Sequence, residues 1–170
     1  MYEEVRMKKY LDLRYYILEI VISLILVMLV VVSFSQVIAR YVFKISLSWS
    51  EELARYLLLW FGMLTAAYCF KIKVHFALTF VFKKFPFVIR KIVNIFIFSV
   101  LNIIFLVMII WGFKYAYMAI DTNSPVMKLP LSFVYSAIPI GGGLMLFYNI
   151  INFYKSFIKN KKYEVPLMED

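Results

Sequence analysis

A group of charged residues stands at the start of a long apolar stretch. Glu51, Glu52 and Arg55 follow Ser48 and Trp49, and hydrophobic residues continue from there. Ser48 followed three residues later by Glu51 predicts a capping box, in which side chains bind backbone N–H groups at a helix start. Carboxylates at that end also complement the helix dipole. Glu51 and Arg55 lie four residues apart, in the order that favours an ion pair on one helix face.

Glu52 has no evident partner among its neighbours in sequence. Arg40 lies at the end of the preceding apolar stretch, and the connection between the two is short. Half-buried charges need partners. We therefore expect a carboxylate of this group, Glu52 above all, to bind Arg40, a lipid headgroup or another subunit.

Two further titratable residues could carry protons. Glu19 lies at the mouth of the first apolar stretch, and His75 is the only histidine. A carboxylate inside a membrane segment is a functional candidate, but within about one helical turn of the interface it can reach water. A lone histidine beside lysines is more often an interfacial hydrogen-bonding residue than a proton carrier. For both residues we favour the structural interpretation.

These charges are set among elements that are mostly apolar. The chain is 64% hydrophobic with a mean hydropathy of +0.84, which is typical of an integral membrane protein. A membrane-spanning helix needs about 20 apolar residues. The sequence predicts an all-α, single-domain membrane protein. Its four predicted spans cover residues 20–42, 49–70, 88–111 and 131–153.

The distribution of positive charge predicts the orientation of these spans. Of the nineteen lysines and arginines, fourteen precede the first span, lie between the second and third, or follow the fourth. The positive-inside rule therefore places both termini and the middle segment in the cytoplasm. Confinement of the basic residues to loops between spans argues against nucleic-acid binding. In the middle segment, polar residues recur at four-residue steps among apolar ones, at Lys71, His75, Thr79 and Lys83, which predicts an amphipathic helix at the membrane surface over residues 74–86.

Small residues indicate where helices pack closely. Gly62 and Ala66 form a small-xxx-small pattern in the second span, which favours close approach of another helix, internal or from another subunit. In the fourth span, Pro139 precedes three glycines that begin at Gly141. This is the one place where a span could kink or unwind, as at transporter sites. We favour close packing as the role of these glycines.

Sequence motifs for catalysis are missing. The sequence has no glycine-rich phosphate loop, no paired histidines, no cysteine cluster and no serine nucleophile elbow. We therefore expect no enzymatic activity, and no metal or cofactor bound by this chain. No charged residue stands at the centre of a predicted span, whereas self-sufficient ion-coupled transporters keep carboxylates or broken helices near mid-depth. These features favour a scaffold.

Several short motifs together resemble a known family. They are Arg40-Tyr41-Val42-Phe43, the block from Ser48 to Tyr56, Trp60, Gly62, His75, Leu129-Pro130, Tyr135, and Ile138-Pro139-Ile140-Gly141. In this order they resemble the small membrane subunit (DctQ-like) of tripartite ATP-independent periplasmic (TRAP) transporters. The resemblance covers roughly residues 36–143. The family often has an acidic residue about four positions after the histidine, where this chain has Thr79.

The resemblance implies a three-part uptake system in a bacterial inner membrane. A periplasmic solute-binding protein delivers an organic acid, such as sialic acid or a dicarboxylate, to a large permease subunit that also binds sodium. The small subunit braces the large one and helps to dock the binding protein. On this chain, the contacts to the large subunit or to a phospholipid would be made by Arg40, Trp49, Glu51, Glu52 and Arg55. His75, with Lys83 and Lys84, would anchor the inner face. Charge reversal at Glu52 is then expected to damage assembly or transport more than the same change at Glu19.

Two other interpretations are open from the sequence. A small multidrug-type exporter transports alone with four helices and couples to protons through a carboxylate in its first helix, which here would be Glu19. Such proteins are shorter, and they lack the charged block and the amphipathic segment. A membrane-bound assembly factor or sensor subunit is the third interpretation.

Overall fold

The structure is a computed structural model that describes residues 2–72 and 87–158 of the chain, with side chains for residues 16–72, 92–93 and 95–154. In chain order the helices are α1 Tyr2–Tyr41, α2 Ser48–Lys71, α3 Phe87–Met118, α4 Leu131–Tyr135 and α5 Ala137–Ile158. The two described ranges contain no strand. The predicted interfacial helix at 74–86, with His75, lies outside the described residues.

Four helical stretches are long and apolar enough to cross a membrane, which confirms the predicted all-α fold with four spans. They cover Tyr16–Tyr41, Ser48–Lys71, Ile95–Met118 and Leu131–Tyr154. The first, second and fourth agree with the predicted limits to within a helical turn or so. The third span is displaced, since it ends at Met118 where Trp111 was predicted.

The helix of the third span extends past the predicted end at Trp111 because a charged residue does not end it. The sequence predicts that the third span ends at Trp111, a few residues before Lys114. In the structure the ammonium of Lys114 lies 4.8 Å from the centroid of the Trp111 ring, a cation–π contact one turn away. A lysine near a helix end keeps its stem against apolar surface and its charge at the surface. The helix therefore continues for about two more turns.

Pro139 interrupts the fourth span. A proline in a helix has no N–H to donate, and its ring collides with the carbonyl group four residues earlier, which here belongs to Tyr135. Accordingly α4 ends at Tyr135 and α5 begins at Ala137. Between them, Ser136 donates its hydroxyl to the Phe133 carbonyl oxygen at 2.7 Å. The glycines that follow Pro139 are helical, so the break lies before the proline and does not involve them.

The helices pack in the order α1, α2, α5 and α3, and the short α4 packs mainly on α3. Loops 42–47 and 119–130 lie at one end of this arrangement, which we call the short-loop end. At the opposite end, the terminal end, the side-chain amide of Asn152 donates to the carbonyl oxygen of Phe70 at 2.7 Å. Phe70 and Phe105 meet edge to face at 5.0 Å in a core shared by α2, α3 and α5.

Two glycines allow close helix contacts. A Cβ atom at Gly141 would lie 2.8 Å from Cβ of Met63, and one at Gly112 would lie 2.8 Å from Cδ of Pro139. The predicted packing role of Gly141 therefore applies to the contact between α5 and α2. Ala66 packs against the core, but a Cβ at Gly62 would meet nothing within 4 Å. The described chain therefore leaves the face of α2 at Gly62 uncovered.

Candidate functional site

The start of α2 differs from the predicted capping box. The helix begins at Ser48 itself, Leu47 occupies the capping position, and no side chain caps the helix start. Ser48 is therefore already helical and cannot act as the N-cap. Ser50, which is fully buried, donates its hydroxyl to the Leu47 carbonyl oxygen at 2.7 Å. The prediction of a Ser48–Glu51 capping box is wrong, because the helix starts one residue earlier than that motif requires.

The predicted ion pair between Glu51 and Arg55 is confirmed. A guanidinium nitrogen of Arg55 lies 3.4 Å from Oε1 of Glu51, and both side chains are mostly exposed. Exposed pairs one turn apart contribute only a few tenths of a kcal/mol, about 0.3–0.5. Trp49, beside them, is also exposed. These three side chains are accessible for contact with another molecule.

Glu52 is turned to the inside of the molecule. One carboxylate oxygen accepts the hydroxyl of Tyr56 at 2.8 Å. The other accepts two backbone N–H groups from the loop between α3 and α4, those of Met127 at 2.8 Å and Val126 at 3.2 Å. The residue is only 8% exposed. Glu52 therefore ties the start of the second span to the loop that precedes the fourth.

The loop that Glu52 binds is closed by its own hydrogen bonds. The N–H of Ser124 donates to the Leu129 carbonyl oxygen at 2.8 Å, and the N–H of Leu129 donates to the Ser124 hydroxyl at 3.2 Å. Asn123 and Pro130 form a bridge outside this pair. Lys128 adopts a left-handed conformation with φ of 57°, which turns the chain within the loop. Successive N–H groups in such turns form concave anion sites, and the anion here is a side chain.

Arg40 does not join this network. Its side chain is exposed, and among the side chains of residues 16–72, 92–93 and 95–154 it has no ion-pair partner. The predicted pair between Arg40 and a glutamate is absent from the structure because Arg55 and the loop already occupy Glu51 and Glu52. From the sequence, Glu52 is expected to bind Arg40, a lipid headgroup or another subunit. In the structure it binds a loop of the same chain instead.

A family comparison fits this arrangement. A family model described as "Tripartite ATP-independent periplasmic transporters, DctQ component" matches residues 28–159. The chain belongs to the DctQ family. It is thus a multi-pass membrane component of a TRAP transporter. DctQ components associate with a large permease subunit and a binding protein. No curated protein matches the chain.

The DctQ match includes Glu52 and the loop at 119–130 but not Glu19. Glu19 lies at the terminal end, where its Oε1 is 3.4 Å from the ammonium of Lys71. Lys71 is nearly buried, with a side chain 5% exposed, and Glu19 is 29% exposed. Opposite charges in such surroundings hold one another because separation would leave a poorly hydrated charge alone. The pair joins α1 to α2, a contact that the sequence analysis did not predict.

Three residues of this DctQ chain that make contacts at the ends of α2 were not predicted from the sequence. Ser124, Tyr56 and Lys71 each contribute to the contacts at the two ends of α2. Tyr56 follows Glu52 by four residues, so helical spacing alone could have suggested that contact. Ser124 and Lys71 bind residues far away in sequence, and no local pattern marks them. His75 lies outside the described residues, so its predicted role stays a prediction.

The contacts described so far are suited to recognition and bracing: a carboxylate that orders a loop, an ion pair that joins two helices, and exposed charges beside an exposed tryptophan. Among the described side chains, no group of three histidine, cysteine, aspartate or glutamate residues lies close enough to hold a metal ion.

Proposed function

We propose that the chain is the fixed scaffold subunit of a sodium-coupled TRAP transporter that imports an organic acid. One observation carries this proposal: the carboxylates at the span ends have partners inside the chain. Glu19 contacts Lys71, Glu51 contacts Arg55, and Glu52 accepts three hydrogen bonds. A subunit that coupled ions by itself would keep a titratable group accessible near mid-depth.

In this proposal the large permease subunit binds sodium and the substrate, and the small subunit performs no catalytic step and needs no cofactor. The resemblance supports sialic acid, a dicarboxylate or another organic acid as the substrate class. The small subunit holds the stationary part of the large one in place while a mobile domain carries the substrate. Stationary bracing is compatible with a chain in which Glu19 and Glu52 have internal partners.

We assign the short-loop end to the periplasm and both termini to the cytoplasm of a bacterium, across its inner membrane. The excess of lysine and arginine outside the two short loops supports this orientation. Aromatic residues at the short-loop end, such as Trp49, Trp111 and Tyr115, are exposed at a level suited to a membrane interface. The binding protein would then approach the short-loop end.

The contact with the large subunit is assigned to the open side of α2. A Cβ atom at Gly62 of this helix would meet nothing within 4 Å in the described chain, so this side of α2 is open to another molecule. Trp49, Glu51, Arg55 and Gly62 are exposed on this helix. Arg40, exposed on α1, is assigned to the large subunit or a phospholipid headgroup.

Reconstitution tests the proposal. The chain is purified alone and together with the product of the neighbouring gene, and uptake is measured in proteoliposomes with a soluble binding protein. Sodium-dependent uptake that requires both membrane chains and the binding protein is the expected result. Uptake by the large subunit without this chain would contradict the scaffold function.

The same experiment tests the exporter interpretation. Glu19 would have to take up and release protons, but it is paired with Lys71 and lies outside the region that matches the family. We therefore expect no proton-driven export by this chain alone. Export by the isolated chain that is lost in Glu19→Gln would overturn the proposed function.

A further inference from the structure

Asn149 is a buried polar residue of α5 whose side-chain nitrogen has no acceptor within the described part of the chain. The residue is 4% exposed, and its Nδ2 atom is buried and unpartnered. A buried amide without a hydrogen bond is costly, and lipid around a span offers no replacement. Trp60 and Thr65 also have an unpartnered polar atom, but both residues are only half-buried. Asn149 therefore points to a bound molecule that supplies the acceptor.

Other polar side chains in the spans bind a carbonyl oxygen of the chain. Ser99 and Asn102 each donate to the carbonyl group four residues earlier, at 3.0 and 2.8 Å. Asn152, three residues after Asn149 on the same helix, donates at 2.7 Å to a carbonyl oxygen of α2. The Nδ2 of Asn149 binds neither its own helix nor α2. The position of this amide is thus not explained by either of the bonding patterns that its neighbours use.

The contacts between α3 and α5 place Asn102 at the level of Asn149. The two helices run in opposite directions, since α3 leads into the loop at 119–130 and α5 follows it. Phe98 of α3 stacks on Phe153 of α5, with the ring centroids 3.8 Å apart. Asn102 follows Phe98 by one helical turn, and Asn149 precedes Phe153 by one turn. Because residues one turn apart share a helix face, the two asparagines lie at the same depth between the helices.

We infer that one water molecule is bound between α3 and α5, where it accepts the Nδ2–H of Asn149 and donates to Oδ1 of Asn102. Asn102 uses its nitrogen for the Phe98 carbonyl oxygen, which leaves its Oδ1 as the acceptor on this side. Both side chains are neutral amides, so they suit a small neutral molecule that donates and accepts. A buried water makes about two to four hydrogen bonds, and helix carbonyl groups have a second lone pair to complete them.

The water site gives α3 a polar contact to the other helices. This helix lies at the edge of the row and packs mainly on α5 and the short α4. Lipid provides no hydrophobic drive for helix association, so packing and hydrogen bonds between helices hold such an edge helix in place. A hydrogen bond through water is enthalpically nearly as good as a direct one. The site therefore stabilises the edge of the subunit, independently of the proposed function.

Nuclear magnetic resonance of the full chain in detergent tests the water site directly. With isotope-labelled asparagine, the side-chain amide of Asn149 should show a dipolar cross-peak to water, which has the opposite sign to an exchange peak in a rotating-frame experiment. In Asn102→Ala the water loses a partner, so the peak should weaken at least about twofold. Asn152 is the matched control, because its amide bonds Phe70 directly and should show no such peak. No peak at Asn149 in the wild-type chain, an equal peak at Asn152, or an unchanged peak in Asn102→Ala would overturn the inference.

Double variants provide a second measurement. Asn102→Ala and Asn149→Ala should each lower the Tm, and the double variant should lose less than the two single losses added together, because both changes act on the same water. Asn102→Ala combined with Asn152→Ala should show additive losses, since Asn152 bonds α2 without the water. Additive losses for Asn102 and Asn149 would contradict a shared water. Coupled losses without a water cross-peak at Asn149 would indicate a direct bond between the two amides and would also overturn the inference.

Discussion

The Glu52 carboxylate accepts the backbone N–H of Met127 at 2.8 Å, although 75 positions separate the two residues. This contact joins the start of the second span to the loop before the fourth. At the other end of the same helix, Lys71 contacts Glu19 of the first span. The second helix is therefore fixed to a different neighbour at each of its ends, which suits a subunit that must keep its shape.

Removal of the Glu52 side chain should destabilise the protein more than removal of Glu51. Glu52→Ala leaves two N–H groups of the loop and the Tyr56 hydroxyl without an acceptor, and buried polar groups without partners are costly. We expect Glu52→Ala to lower the Tm in detergent by several degrees. The matched control, Glu51→Ala, removes an exposed pair and should leave the Tm almost unchanged. Equal effects of the two changes would contradict this ranking.

Tyr56→Phe tests the smaller part of the same network. The change removes one hydrogen bond to Glu52 and retains the ring, so a loss of about 0.5–1.5 kcal/mol in unfolding free energy is expected. The loop amides keep their acceptor, so hydrogen exchange at Val126 and Met127 should stay slow. A chemical denaturation series measures the first quantity. Fast exchange at these two amides would show that Tyr56, and not Glu52 alone, orders the loop.

The Glu19–Lys71 pair should tolerate exchange of its charges better than loss of one of them. Glu19→Lys places two ammonium groups together beside a nearly buried side chain, and we expect about 3–5 kcal/mol of destabilisation. The double variant Glu19→Lys with Lys71→Glu should recover much of the loss in Tm. The expectation that charge reversal at Glu52 damages assembly or transport more than charge reversal at Glu19 stays a prediction. No recovery in the double variant would mean that the pair does not stabilise the α1–α2 contact.

Two glycines in one helix should respond oppositely to alanine. Gly141→Ala drives a methyl group against Cβ of Met63, and such overpacking costs about 1–3 kcal/mol. At Gly143 a Cβ would meet nothing within 4 Å, so Gly143→Ala should be neutral or stabilise the helix by up to about 1 kcal/mol. Thermal unfolding of the two variants in the same detergent measures the difference. Similar Tm values would contradict close packing at Gly141.

Gly62 separates internal stability from assembly. Gly62→Leu fills a space that nothing in the described chain occupies, so the isolated subunit should unfold at an unchanged or higher temperature. If a helix of the large subunit packs on this face, the same change should reduce the co-purified large subunit severalfold. Gly143→Leu serves as the control on a different helix. Full assembly of the Gly62 variant would remove this face from the proposed interface.

The sequence predicts the elements of this fold well and its long-range contacts poorly. Four apolar runs indicate four spans, and the spacing of Glu51 and Arg55 predicts their pair, because both depend on neighbouring residues alone. The position of the break before Pro139 follows from backbone sterics once the helix is known. The partner of Glu52 could not be predicted, since local pattern does not report which loop folds back onto a helix start.

The distance along the chain between Glu52 and Met127 also imposes an order of events during biosynthesis. At about 5–20 residues per second, the ribosome finishes Met127 roughly 4–15 s after Glu52. In that interval the second span enters the membrane with a carboxylate that has only Tyr56 and water as hydrogen-bond donors. Until the later loop arrives, the Glu52 carboxylate lacks two of its three hydrogen-bond donors, and water at the membrane surface has to take their place.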